Sequence, residues 1–161
     1  MFCSATLVQI SEVSLLFWKI ITFWFTNDSK WLEPNMNNLK TARLFFNECD
    51  GGRGWEACKT YCHADASFET EAETLAAIVT LDTYCDWMID ALTMFDDTVE
   101  VEVKAEAYDE TRDIVLVYAE IRGNIIIGPE PMYAKTDYVY VMHFDGGKIR
   151  HMSKVWELRL P

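Results

Sequence analysis

The chain has 161 residues, half of them hydrophobic and 14% aromatic, enough to enclose one sizeable core and too few for two. Its formal net charge of -12, from 14 Lys and Arg against 26 Asp and Glu, argues against nucleic acid as a partner, since phosphate binding needs clustered basic residues. Five cysteines, an odd number without framework spacing in a chain of this size, point to reduced thiols and a cytoplasmic setting.

Residues 1–35 differ in character from the rest. The apolar run from Val13 to Phe25 is interrupted by Lys19 and falls short of the ~20 residues needed to cross a bilayer. No basic residue precedes Lys19 and Thr26-Asn27-Asp28 follows the run, which is not the pattern of a signal peptide. A membrane protein is therefore not expected. Three readings stay open for this extension: an extra helix, an interfacial anchor, or translated sequence upstream of a start at Met36. The domain proper is expected over 36–161.

From Met36 the pattern becomes regular. Asn37 or Asn38 is placed to cap a helix in which Leu39, Ala42, Phe45 and Phe46 recur at helical spacing, ending before Asp50-Gly51-Gly52. A second short helix carries Trp55, Cys58, Tyr61 and Cys62. Cys58 and Cys62 lie four apart beside His63, but without a second ligand pair they read as small buried residues, and no metal is expected. A short strand is expected over 66–70, centred on Phe68. The stretch Leu75 to Leu81 is apolar without a clear period. A helix beginning at Thr80 or Asp82 follows, with Tyr84, Trp87, Met88, Ala91, Leu92 and Phe95 on its apolar stripe and Asp82, Asp86 and Asp90 on a solvated face.

After Asp96-Asp97 the period changes to two. Val99, Val101, Val103, Ala105 and Ala107 alternate with charged residues, predicting a strand with one wet face. The return strand from Ile114 to Arg122 is apolar on both faces. After a Gly- and Pro-containing loop comes a hairpin around Asp145-Gly146-Gly147. In its first strand Tyr138, Tyr140, Met142 and Phe144 share one face, and Asp137, Val139, Val141 and His143 the other. Helices first and antiparallel strands after predict an α+β fold in which a curved, mostly antiparallel sheet wraps the N-terminal helices.

The segment from about Asn38 to Trp156 resembles the SnoaL-like, polyketide cyclase-like branch of the nuclear transport factor 2-like superfamily. The resemblance rests on the helix, glycine break and helix ending Tyr61-Cys62-His63-Ala64-Asp65, the strand Ala66-Ser67-Phe68-Glu69, the helix containing Asp86-Trp87-Met88, and above all the ending from Asp137 to Trp156. It implies a cone-shaped α+β barrel with a cavity between sheet and helices, in a superfamily that hosts cyclases, isomerases, dehydratases and proteins without chemistry. In the cyclases an acidic group stands on the strand before the final turn, where this chain has Tyr140. Ketosteroid isomerases have their base just after the first strand, where Thr70 stands between Glu69 and Glu71.

The cavity lining expected on this basis is Trp55, Tyr61, Phe68, Tyr84, Trp87, Met88, Tyr138, Met142 and Trp156, together with Tyr140. Such a wall suits a small hydrophobic, ring-bearing ligand. Among the groups able to move a proton, His63 is the first candidate and Asp137 the second, with Tyr140 as a hydrogen-bond donor to a developing enolate. No glycine-rich phosphate loop or metal-ligand pair argues for a cofactor. Two classes of function follow: an acid/base isomerase, cyclase or lyase, or a non-catalytic ligand-binding or dimerisation module. Both predict a homodimer through the outer sheet face where Val139, Val141 and His143 point.

Overall fold

The computed structural model describes residues 36–126 and 128–156, so the expectations for the N-terminal extension lie outside the described residues. Among the described residues three helices lead: α1 (Met36–Cys49), α2 (Gly54–Cys58) and, after strand β1 (Cys62–Thr70), α3 (Leu81–Leu92). Four strands follow: β2 (Glu100–Asp109), β3 (Ile114–Ile125), β4 (Met132–Asp145) and β5 (Lys148–Trp156). They form one five-stranded sheet in the order β1-β5-β4-β3-β2, antiparallel except where β1 runs parallel to β5. This is the expected α+β plan with one correction. β1 and β2 are the two edges of the sheet and do not pair, so the barrel is not closed.

The helices lie on one face of the sheet because their apolar stripes match it. Ala42, Phe45, Phe46 and Cys49 of α1 and Leu81, Tyr84, Cys85 and Met88 of α3 are buried against the inward residues of β3, β4 and β5. The turn from α1 to α2 passes close to α3. Gly52 and Gly54 have φ of +64° and +69°, and a Cβ at either would stand 2.8 Å or less from Leu92 or Ile89. Only glycine meets both demands. Asp86 of α3 accepts the Trp55 backbone N–H at 2.8 Å, so the acidic row on that helix is not merely a solvated face.

Other expectations change. Asn38 does not cap α1. It lies within the helix, buried, and donates to Asp113 at 3.2 Å. β1 begins at Cys62, four residues before the expected start, because Cys62 pairs with Ile149 ahead of an irregularity in the ladder. In β2 the alternation breaks at a bulge, where Val103 pairs with Ala119 but Ala105 pairs with Tyr118, leaving Lys104 as the extra residue. The bulge exchanges the faces. Beyond it Ala105 and Ala107 are exposed, while Glu106 turns inward to an ion pair with Arg43 of α1 and Tyr108 packs on the core. β3 is apolar on both faces as expected; Val115, Val117, Ala119 and Ile125 are buried, while Leu116 and Tyr118 emerge on the outer face.

The outer face divides by chemistry. Leu116, Tyr118, Val139, Val141 and Val155 adjoin through the β3, β4 and β5 pairings. Farther along the strands Glu120 accepts from Arg122 and Lys135 at 2.8 Å, with Lys104 at 3.8 Å and Arg122 also bound to Glu100 and Glu102. Hydrogen bonds from Lys135 and Arg122 hold the Glu120 carboxyl down at about 2. A depressed carboxylate stabilises the fold above its unfolded value and loses that contribution as pH falls. Glu120→Gln is therefore expected to show its full stability deficit at pH 7 and progressively less from about pH 4.5 towards pH 2, as read from urea unfolding at several pH values.

Candidate functional site

The inward side chains of the β4–β5 pair meet the end of α1 in a buried polar cluster. Tyr138 and Tyr140 leave β4 on the same face by the two-residue period, and Lys154 stands opposite Tyr140 on β5. Asp50 follows the last residue of α1, where the Phe46 carbonyl accepts its backbone N–H at 2.8 Å and fixes its direction. Its Oδ1 accepts from the Tyr138 hydroxyl at 2.8 Å and the Tyr140 hydroxyl at 3.3 Å. Tyr84 of α3 completes the set, 2.6 Å from the Tyr140 oxygen and accepting from the Lys154 ammonium at 2.9 Å.

Lys154 can only donate, so Tyr84 accepts from it, and the Tyr84 hydroxyl also lies 3.3 Å from Met88 Sδ, to which it donates. Lys154, Tyr84, Tyr140 and Asp50 thus form one hydrogen-bonded chain from a cation to a carboxylate. Around the Lys154 nitrogen stand the rings of Tyr138, Trp156, Tyr140 and Tyr84, with centroids between 4.6 and 5.4 Å away.

Burial sets the electrostatics. It pushes the Asp50 carboxyl up to about 6, against the pull of Lys154 and of the two tyrosine hydroxyls. Burial also lowers Lys154 from the ordinary lysine value, with Asp50 opposing. The hydroxyls of Tyr84, Tyr138 and Tyr140 are pushed up, chiefly by burial, and remain donors. A carboxyl titrating near neutrality can both take and return a proton.

One wall of this cluster faces a cavity of about 130 Å³. Its lining combines Asp50, Lys154, Thr136 and Tyr138 with Trp87, Met88, Ala91, Leu92, Met94, Phe95, Ile121, Ile125 and Trp156. Two buried polar atoms of lining residues have no hydrogen-bond partner among the described residues: the acceptor Oδ2 of Asp50 and the donor Nε1 of Trp156. Such atoms are costly to bury unless something satisfies them.

The expected site residues separate into three groups. Trp87, Met88, Tyr138 and Trp156 line the cavity. Tyr84 and Tyr140 lie behind it, joined to its wall through Asp50 and Lys154, while Phe68 stacks on Tyr84 at 4.1 Å and Met142 is fully buried in the core. Trp55 and Tyr61 pack on the core, outside the lining. His63 and Asp137 are not brought to the cavity. His63 contacts the Asp145 carbonyl at 2.9 Å, at the hairpin end of the sheet, and Asp137 is exposed because it alternates with Tyr138 on β4. Thr70 ties β1 to the Lys154 carbonyl at 2.8 Å. Sequence reasoning missed Asp50 and Lys154, one read as part of a turn and the other never singled out. A signal was present for Lys154, which occupies an inward position between Met152 and Trp156.

No protein-family model matches the sequence, and no curated protein matches it. Solved structures do match. AclR, a putative hydroxylase from Streptomyces galilaeus, superimposes with a TM-score of 0.61 at 15% identity, covering 76% of this chain and 80% of its own. SalBIII, described as an epoxide hydrolase/cyclase-like enzyme in pyran ring formation in polyether salinomycin, gives 0.60 at 16% identity over 76% and 92%. A protein from Jannaschia described as a putative SnoaL-like polyketide cyclase gives 0.59 at 16% over 76% and 86%. With its described helices packed on a five-stranded mixed sheet, the chain shares the fold of these structures, among them one described as SnoaL-like and another as NTF2-like.

Proposed function

We propose that this protein binds a small hydrophobic carbonyl compound in the cavity and catalyses proton transfer on it without a cofactor, as an isomerase, cyclase or lyase. The observation that carries this reading is Asp50 on the cavity wall, a carboxyl poised at about 6 whose buried Oδ2 has no hydrogen-bond partner among the described residues. Asp50 takes a proton from carbon next to the carbonyl and returns it elsewhere. The Trp156 N–H and the Lys154 charge favour the enolate oxygen that develops. A cavity of about 130 Å³ is comparable to one of about 150 Å³ that holds benzene, which limits the enclosed part of the ligand to roughly one ring. The cyclase names among the structural neighbours agree with this chemistry. We place the partner surface of a homodimer on the outer face around Leu116, Tyr118, Val139, Val141 and Val155, and if the cavity proves inert that surface favours the dimerisation module instead.

The reading is tested with cyclic ketones and enones of one ring. A member of the panel is expected to raise the melting temperature and to exchange its α-protons for deuterium in D2O, followed by NMR. Ala91→Phe, which fills the cavity from α3, is expected to abolish the thermal shift and the exchange together while costing about 1–3 kcal/mol of stability from overpacking. Binding without exchange across the panel would leave the cavity a receptor and remove the enzyme.

A further inference from the structure

Away from the cavity, three cysteines meet where the three helices converge. Cys49 is the last residue of α1, Cys58 the last of α2, and Cys85 lies in α3 one residue after Tyr84. Each is fully buried, and their three sulfurs lie within 4.8 Å of one another. Nothing in the spacing along the chain announces this. Sequence reasoning paired Cys58 with Cys62 and His63, whereas the fold turns His63 to Asp145 and leaves Cys62 outside the group.

We propose that Cys49, Cys58 and Cys85 form a three-thiol site for a thiophilic trivalent metalloid, with arsenite as the representative occupant. Three soft sulfurs from three different elements converge on one point, which is the donor set that selects thiophilic ions. Three sulfurs at about 2.3 Å from a pyramidal trivalent centre stand roughly 3.5 Å apart, so side-chain shifts on the order of an ångström close the site.

Charge decides which ion. As(OH)3 condensing with three thiols forms three As–S bonds, breaks three As–O bonds and releases three waters, each thiol proton leaving on a hydroxide. Arsenic remains trivalent, and the buried product carries no net charge. One copper(I) on three thiolates would bury two negative charges and zinc would bury one, at a site where all three cysteines are fully buried. Zinc in a closed site also takes a fourth ligand, which the group does not supply.

The experiment uses the full chain with Cys3→Ser and Cys62→Ser, leaving only these three cysteines. Titration with arsenite is expected to saturate at one arsenic per chain, raise the melting temperature, and give an intact native mass increased by arsenic less three hydrogens. Cys58→Ala in that background, or wild-type sequence at those three positions in denaturant, is expected to weaken binding at least tenfold. The mass and denaturant readouts keep the test independent of whether the alanine variant folds. A mass increase that retains one hydroxyl on arsenic, equal affinity in denaturant, or no binding where zinc or copper(I) binds stoichiometrically would each overturn the proposal. None of these readouts depends on the cavity or its chemistry.

Discussion

Replacing Asp50 by asparagine is expected to lower the rate of α-proton exchange by about 10²–10⁴-fold, the range over which a positioned general base contributes. The substitution keeps the acceptor that Tyr138 and Tyr140 hold through Oδ1 and removes only the ability to carry a proton at the cavity wall. The wild-type rate is expected to rise with pH through about 6, where the buried carboxyl ionises, and the asparagine variant should lose that limb. Stability moves the other way. With its folded value raised from 3.8 to about 6, Asp50 is protonated in both states below about pH 4, and the fold is progressively destabilised as pH rises to about 6. The difference amounts to roughly 3 kcal/mol, at about 1.4 kcal/mol for each pH unit. A rate profile with no limb near 6, or an asparagine variant with undiminished exchange, would remove Asp50 from the mechanism.

Lys154→Met is expected to have the second largest effect, and its sign depends on pH. Lys154 is the strongest of the influences holding Asp50 down, so its loss raises the Asp50 carboxyl further and moves the rate profile to higher pH. At pH 8 the variant must keep a buried carboxylate without its cation or protonate it, a loss on the order of 3 kcal/mol. At pH 5 Asp50 is mostly protonated and no longer offsets the burial that disfavours a charged Lys154. There methionine, packed among the rings of Tyr138, Tyr140, Tyr84 and Trp156, is expected to be as stable as lysine or more so. Denaturation of both proteins at the two pH values checks this. A deficit of equal size at pH 5 and pH 8 would show that Lys154 acts by packing and not through Asp50.

The sheet, the helices and half of the cavity wall follow from periodicity. Tyr138 and Tyr140 alternate with Asp137 and Val139 whatever covers them, and Trp87, Met88 and Ala91 share a helix face through the 3.6-residue turn. Periodicity fails where one residue is inserted. At the β2 bulge, Ala105 and Ala107 keep the spacing of Val101 but lie on the opposite face, and Glu106 goes inward to Arg43. It also fails for polar residues held inside by partners distant in the chain. His63 looked reactive because its chemistry is intrinsic, while Asp50 in an Asp-Gly-Gly turn looked like punctuation.

What the sequence by itself determined is the local record: helix stripes, strand alternation, the hairpin at Asp145-Gly146-Gly147, and an acidic, apolar-cored domain of α+β class. Only the tertiary structure brought Asp50 within hydrogen-bond reach of side chains 88 and 90 residues away, put Lys154 among four rings, and gathered Cys49, Cys58 and Cys85. The physical reason is that hydrophobic patterning depends on neighbours a few residues apart. The proton affinity of a carboxyl, the charge state of a lysine and the convergence of three thiols depend on desolvation and on partners that only folding brings together.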